Sequence, residues 1–263
     1  MSKLRLGGIQ IGYDDQGNGP ALVLLHGYPF NRSQWRDQLT TFNQSYRVIS
    51  PDLRGHGETD VTATTIQGMA QDVAELMTAL DVPTAIIGGL SMGGYVALSF
   101  YRQFPDRVKA LVLADTRASA DTETARQNRA IQAERALREG MPGIADEMVP
   151  KLLGPETLAN NPELVQRLRQ MMVNTNPKGA NGALKAMSTR EDQTSFLSQI
   201  TTPTLIVVGR EDAITPVADS ELMNREIKGS RLEVIEDSGH VSNLEQPEEF
   251  DMRLREFLSS LSA

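Results

Sequence analysis

The chain of 263 residues contains no cysteine, one tryptophan and three histidines. The missing thiols exclude disulfides, thiolate metal sites and cysteine nucleophiles. With only His26, His56 and His240, few imidazoles are available for acid–base work or metal binding. Basic residues are also short, since 26 Lys and Arg face 34 Asp and Glu for a formal charge of −8. Nucleic-acid binding needs a basic face and is not expected. No apolar run reaches the ~18 residues of a membrane helix. The N-terminus, Met1 to Leu6, meets Gly7-Gly8 before any long apolar segment, so neither a leader nor a membrane contact is expected, and the cytoplasm is the expected location.

What is present is enough apolar content, 40%, for one full core. The chain is organised around Ala85 to Leu98, an apolar run, a glycine-flanked serine and a helix-forming run. Gly89 and Gly93 stand two residues either side of Ser91. A strand turning straight into a helix brings backbone so close there that a Cβ would collide. Ser91 is thereby lifted to the tip of the turn, beside the free N–H groups that open the helix. That is a nucleophile's position.

In this Gly-x-Ser-x-Gly context the chain resembles the α/β-hydrolase superfamily, over nearly its whole length. The resemblance implies a mostly parallel eight-stranded sheet with helices on both faces and a helical cap inserted after strand 6. Core segments are then expected at residues 1–115 and 196–263, with the cap at 116–195. The residues agree with that rhythm. Residues 3–13 read as two short antiparallel edge strands, and residues 21–26, 47–50, 85–90, 108–114, 204–209 and 231–236 as apolar strands buried in a sheet. Residues 66–80 carry a helical stripe, and the final helix is expected over roughly 248–261. A helix capped by Ser33 is expected after the third strand, with Trp35 as a packing residue. Strands alternating with helices place chemistry at the carboxyl ends of the strands.

The remaining site residues come from the resemblance. His26-Gly27-Tyr28 matches the family's oxyanion loop, which makes the backbone N–H groups of Tyr28 and Met92 the expected oxyanion donors. Arg210 to Pro216 resembles the acid loop and offers Asp212. Gly239-His240, followed by Glu245-Gln246-Pro247, is similar to the histidine loop. Ser91, Asp212 and His240 stand in the chain order this fold uses for nucleophile, acid and base. Ser91 needs a base within hydrogen-bond reach, and Asp212 would orient and stabilise the imidazolium. Asp115, at the end of the sixth strand, is the competing acid. Glu211 and Asp237 lie near but do not fit the expected approach, and His56 sits in a glycine-rich turn rather than after a late strand.

Such a site uses no metal and no organic cofactor. An elbow serine rather than aspartate excludes the haloalkane dehalogenases and epoxide hydrolases of this fold. The expected reaction is hydrolysis by water of a small carboxylic ester or lactone through an acyl-enzyme, as in the 3-oxoadipate enol-lactonase and small-esterase group. Alternatives are a C–C bond hydrolase of meta-cleavage products, or a small-molecule receptor with little turnover. Pro29, one residue past Tyr28, adds a secondary expectation taken from cofactor-free perhydrolases, namely hydrogen peroxide replacing water as the acyl acceptor.

The cap segment, 116–195, has no Phe, Tyr or Trp but holds Met141, Met148, Met171, Met172 and Met187. Methionine fills irregular space adaptably, which suits a compliant lid. This segment has 11 Lys and Arg against 10 Asp and Glu, net +1, leaving −9 on the rest of the chain. Arg126, Arg129 and Arg135 are therefore candidates to receive a substrate carboxylate.

Overall fold

In the computed structural model, which describes residues 2–261, the apolar runs become strands β1 (Ser2–Leu6), β2 (Ile9–Gln16), β3 (Ala21–Leu25), β4 (Arg47–Pro51), β5 (Ala85–Leu90), β6 (Val108–Ala114), β7 (Thr204–Gly209) and β8 (Arg231–Ile235). Met1, Ser262 and Ala263, the outermost residues of the two expected core segments, lie outside the described residues. The strands form one sheet in the order β1-β2-β4-β3-β5-β6-β7-β8. β1 pairs antiparallel with β2 and β2 with β4, while every other pairing is parallel.

Successive side chains of a strand point to opposite faces, and here both faces are apolar. Val23, Leu25, Ile49, Ile87, Leu111 and Ile206 belong to one core cluster. Leu22, Leu24, Val48, Ile86, Val112 and Leu205 belong to the other. The first face is covered by α2 (Ile66–Ala79) and α3 (Met92–Gln103), which bury Met69, Val73, Val96 and Phe100. The second is covered by α1 (Arg36–Phe42) and by α11 (Pro247–Ser260), with the Trp35 and Phe250 rings 5.9 Å apart. Fully burying one such large apolar side chain contributes roughly 2–3 kcal/mol, so removing a ring here opens a cavity as well as losing transfer energy.

Between β6 and β7 the chain makes five helices, α4 (Glu123–Glu139), α5 (Pro142–Leu152), α6 (Pro155–Asn160), α7 (Pro162–Val173) and α8 (Pro177–Ser188). Four of these begin on proline, whose fixed φ and missing N–H suit the first helical turn. Pro142 and Pro177 thus open helices. The Asn161 and Asn176 side chains cap α7 and α8 by accepting from Leu164 N and Lys178 N. The last two helices before α11 are α9 (Val217–Glu226) and α10 (Ser242–Glu245).

One local expectation is corrected. Ser33 does not cap a helix: Arg32–Trp35 is a 3-10 turn whose cap is Asn31, with Asn31 Oδ1 accepting from Ser33 N at 2.9 Å, and α1 begins only at Arg36. Serine and asparagine are both good caps, and the one preceding the turn has the extended backbone a cap requires.

Candidate active site

The carboxyl ends of β3, β5, β7 and β8 deliver the four expected pieces to one place. Ser91 occupies the turn between β5 and α3 with φ 54° and ψ −114°, a conformation that non-glycine residues rarely adopt. The turn is tight enough that a Cβ on Gly89 would strike the Gly93 carbonyl, and one on Gly93 would strike that of Leu25. Ser91 N donates to Ala114 O at 3.0 Å, and Thr116 Oγ1 donates to Ser91 O at 2.8 Å. Its hydroxyl oxygen lies 2.8 Å from His240 Nε2.

The other ring nitrogen, His240 Nδ1, lies 2.8 Å from Asp212 Oδ2. Asp212 is itself fixed, because its Oδ1 accepts from Ile214 N and Thr215 N while Oδ2 accepts from Thr215 Oγ1 at 2.7 Å. Burial would push this carboxyl up, but the charge and hydrogen bond of His240 outweigh it, so the group is held below the ordinary carboxylate value. Burial likewise opposes the imidazolium of His240, yet Asp212, helped by Asp115, raises its pKa above the ordinary value. Thr215 was not singled out in the sequence; its place three residues after Asp212 in the same loop was the available signal.

Asp115 does not reach His240 as a partner. Its Oδ1 accepts from Gly209 N at 2.9 Å, and its Oδ2 from Ser242 N at 3.2 Å and Ser242 Oγ at 2.6 Å. Burial and the charge of Asp212 push its carboxyl up to about 7. Neither Glu211 nor Asp237 makes a bond to His240: Glu211 N donates to Ser238 O, and Asp237 O accepts from Gln246 Nε2.

The two other histidines are unsuited to proton transfer near neutrality. His26 Nδ1 bonds Gly27 O at 2.9 Å and His26 Nε2 accepts from Leu53 N at 2.9 Å, which fixes one neutral tautomer. Burial lowers His26 to about 4 and His56 to about 3.

On the other side of Ser91, the loop after β3 is oriented by Gln34, whose Oε1 accepts from Gly27 N at 2.8 Å. The Tyr28–Pro29 peptide is cis, and Pro29 O accepts from Thr175 Oγ1 at 2.6 Å, tying this loop to the α7–α8 connection. Among the described residues the N–H groups of Tyr28 and Met92 meet no protein acceptor. The Tyr28 side chain is buried, with a hydroxyl that has no protein partner, and burial pushes its pKa up against the opposing charge of Arg129.

The three candidate arginines fare differently. Arg126 and Arg135 pair with acidic residues of the same helix or of α5, at Glu123, Glu139 and Glu147. Arg129 pairs with Asp121 at 2.5 Å and directs Nη1 at Met187 Sδ, and it alone of the three acts on Tyr28. Among the described residues no group of three or more His, Cys, Asp or Glu is placed to hold a metal ion, and no helix is long and apolar enough to cross a membrane.

The family model of the alpha/beta hydrolase fold matches residues 20–247. The chain belongs to this family. The match takes in Ser91, Asp212 and His240 and all strands from β3 to β8. Among α/β hydrolases, the chain is 31% identical over 245 residues to 3-oxoadipate enol-lactonase 1 of Acinetobacter baylyi, covering 93% of this chain and 90% of that one. A solved thermophilic esterase from Thermogutta terrifontis, with malate bound, superposes with a TM-score of 0.96 and 40% identity over 100% of this chain and 99% of that one. The enol-lactonase from Burkholderia xenovorans LB400 superposes with a TM-score of 0.92 and 26% identity, covering 98% and 100%.

Proposed function

We propose that this α/β hydrolase cleaves small carboxylic esters or lactones through an acyl group carried on Ser91. The observation that carries the proposal is the continuous chain Ser91 Oγ, His240 Nε2, His240 Nδ1 and Asp212 Oδ2, with 2.8 Å at each polar contact. His240 takes the Ser91 proton as Oγ bonds to the substrate carbonyl carbon. Asp212 keeps the proton-bearing Nδ1 in place and stabilises the imidazolium. The resulting oxyanion is received by the N–H groups of Tyr28 and Met92, each worth on the order of 3 kcal/mol in sites of this type. The imidazolium then protonates the departing alkoxide, and the acyl–oxygen bond of the substrate breaks. Water repeats the sequence on the acyl-enzyme, giving its proton to His240 and releasing the acid. Relatives named as esterases and enol-lactonases support an enzyme of the esterase or lactonase kind.

The test is hydrolysis of p-nitrophenyl acetate and simple lactones by the parent protein, Ser91→Ala and His240→Ala. Turnover should fall by at least about 10³-fold in either variant. A Ser91→Ala protein that keeps a tenth of parental turnover would overturn the reading. A protein that binds such compounds without turning them over would be a receptor instead.

Arg129 supports a second level of the proposal, in which the acyl portion carries an acidic group. Its positive charge acts on the buried, unpartnered Tyr28 hydroxyl, and the Thermogutta terrifontis esterase was solved with malate, a dicarboxylate. Comparing kcat/KM for a neutral ester and its ω-carboxylate analogue decides this. Equal values, unchanged by salt, would remove it.

Peroxide as acyl acceptor is the finer activity assigned to Pro29. Peracid formed from a short acid or ester should drop relative to hydrolysis in Pro29→Leu, whereas an unchanged ratio leaves Pro29 as a shaper of the loop alone.

A further inference from the structure

The loop that carries His240 is held by two buried carboxylates to which the reaction assigns no step. Asp115, fully buried, accepts from both the backbone N–H and the hydroxyl of Ser242, two residues after His240. The same carboxylate accepts from Gly209 N, the last residue of β7 and three before Asp212. Glu245 holds the loop on the other flank of His240 in the chain, with Oε1 accepting from Gly239 N at 2.7 Å, one residue before His240. Its Oε2 accepts from Gly154 N at 2.8 Å, at the junction of α5 and α6. A third bond runs in the same direction, from His240 N to Leu152 O at 2.7 Å. The approach is so close that a Cβ on Gly239 would lie 2.8 Å from Gly154 N and from Leu152 O.

We infer that Asp115 and Glu245 are positioning residues for His240, and that the α5–α6 junction of the helical insertion is part of the mount of the base. The inference rests on the proposed role of His240 as base. A carboxyl group suits this task because its two oxygens offer acceptors to several N–H and O–H groups at once. A buried N–H left without such an acceptor costs free energy, so the loop is driven into the one arrangement that satisfies all of them. The consequence for chemistry is angular. His240 Nε2 must meet Ser91 Oγ while Nδ1 meets Asp212, and a displacement of ~1 Å at such a centre can reduce the rate about 100-fold. It also follows that the end of the insertion at residues 152–154 cannot move without carrying His240 with it.

The experiment measures kcat and KM for p-nitrophenyl acetate in Glu245→Ala, Glu245→Gln, Asp115→Asn and Ser242→Ala, per folded protein judged by near-ultraviolet circular dichroism. The downfield proton resonance of His240 Nδ1–H is recorded alongside. Glu245→Ala and Asp115→Asn should lower kcat about tenfold or more with KM within about twofold, and should shift or broaden that resonance. Glu245→Gln, which keeps one acceptor oxygen, should recover part of the loss. Ser242→Ala removes a single hydroxyl bond to Asp115 and should lower kcat in the same direction by a smaller factor. If kcat per folded protein and the resonance stay at parental values while only the melting temperature falls, the two carboxylates serve stability alone and the inference fails. Failure of the hydrolase reading is seen separately, as activity that survives His240→Ala.

Discussion

Asp212 Oδ2 lies 2.8 Å from His240 Nδ1, while Asp115, equally buried and close by, gives its oxygens to Gly209 and Ser242. Two carboxylates thus flank one imidazole, and only one of them is bonded to it. Asp212→Asn should lower kcat by roughly three to four orders of magnitude with the fold intact, because the amide cannot hold the required tautomer. Asp115→Asn should have a far smaller effect, about tenfold. Steady-state kinetics of the two variants on one ester checks this. If Asp115→Asn gave the larger loss, the acid would belong to the end of β6.

The electrostatics of His240 set the pH dependence. It feels the charges of Asp212 on the acid loop, Asp115 at the end of β6 and, most weakly, the cation Arg117; burial lowers its pKa, but the carboxylates win and the net shift is upward from 6.5. If His240 is the base, as proposed, attack needs its neutral form, so kcat/KM should decline as pH falls through a midpoint above 6.5. The stability linkage has the opposite direction. A raised histidine stabilises the folded state below its unfolded pKa, and that contribution is lost as pH rises through the folded value. A pH–rate profile with its acid midpoint at or below 6.5 would contradict this account.

Arg190 should prove to be a stability residue of the insertion. Its side chain is 4% exposed and bonds Asp121 Oδ1 at 2.6 Å, Ser119 O at 2.7 Å and Met187 O at 2.9 Å. It also lies 4.2 Å above the Tyr95 ring, on the first turn of α3. Two arginines, Arg129 and Arg190, hold Asp121 below the ordinary carboxylate value against the upward push of burial. Removing Arg190 leaves the buried Asp121 with Arg129 alone and takes the donors from Ser119 O and Met187 O, which costs on the order of 1–3 kcal/mol. Arg190→Ala should therefore lower the melting temperature by several degrees, measured by circular dichroism. A change of less than ~1 °C would mean that this pair carries no net stability.

The elbow gives a prediction about backbone rather than side chain. Gly93→Ala places a methyl against the Leu25 carbonyl in a turn whose neighbours are also backbone and cannot step aside. Such overpacking typically costs 1–3 kcal/mol or more, and it should reduce folded yield together with activity. A Gly93→Ala protein with parental melting temperature and turnover would show that the turn is not as tight as described.

The sequence by itself determined the elements whose cause is local. A run such as Leu22-Val23-Leu24-Leu25, of strand length and bounded by Pro20 and His26-Gly27, suits a strand covered on both sides, and β3 is that. The glycines around Ser91 encode the sharp turn within five residues, and the order of serine, aspartate and histidine follows from the order of the strands that carry them. Tertiary structure decided what depends on loops meeting from distant parts of the chain. It bonded His240 to Asp212 and not Asp115, chose Asn31 over Ser33 as a cap, paired Arg126 and Arg135 with neighbouring carboxylates, and brought Gly154 within a hydrogen bond of Glu245, 91 positions away. Composition and spacing are silent on such choices. A carboxylate's partner is fixed by which N–H groups lose their water beside it, and that is known only once the strands have set the loops in place.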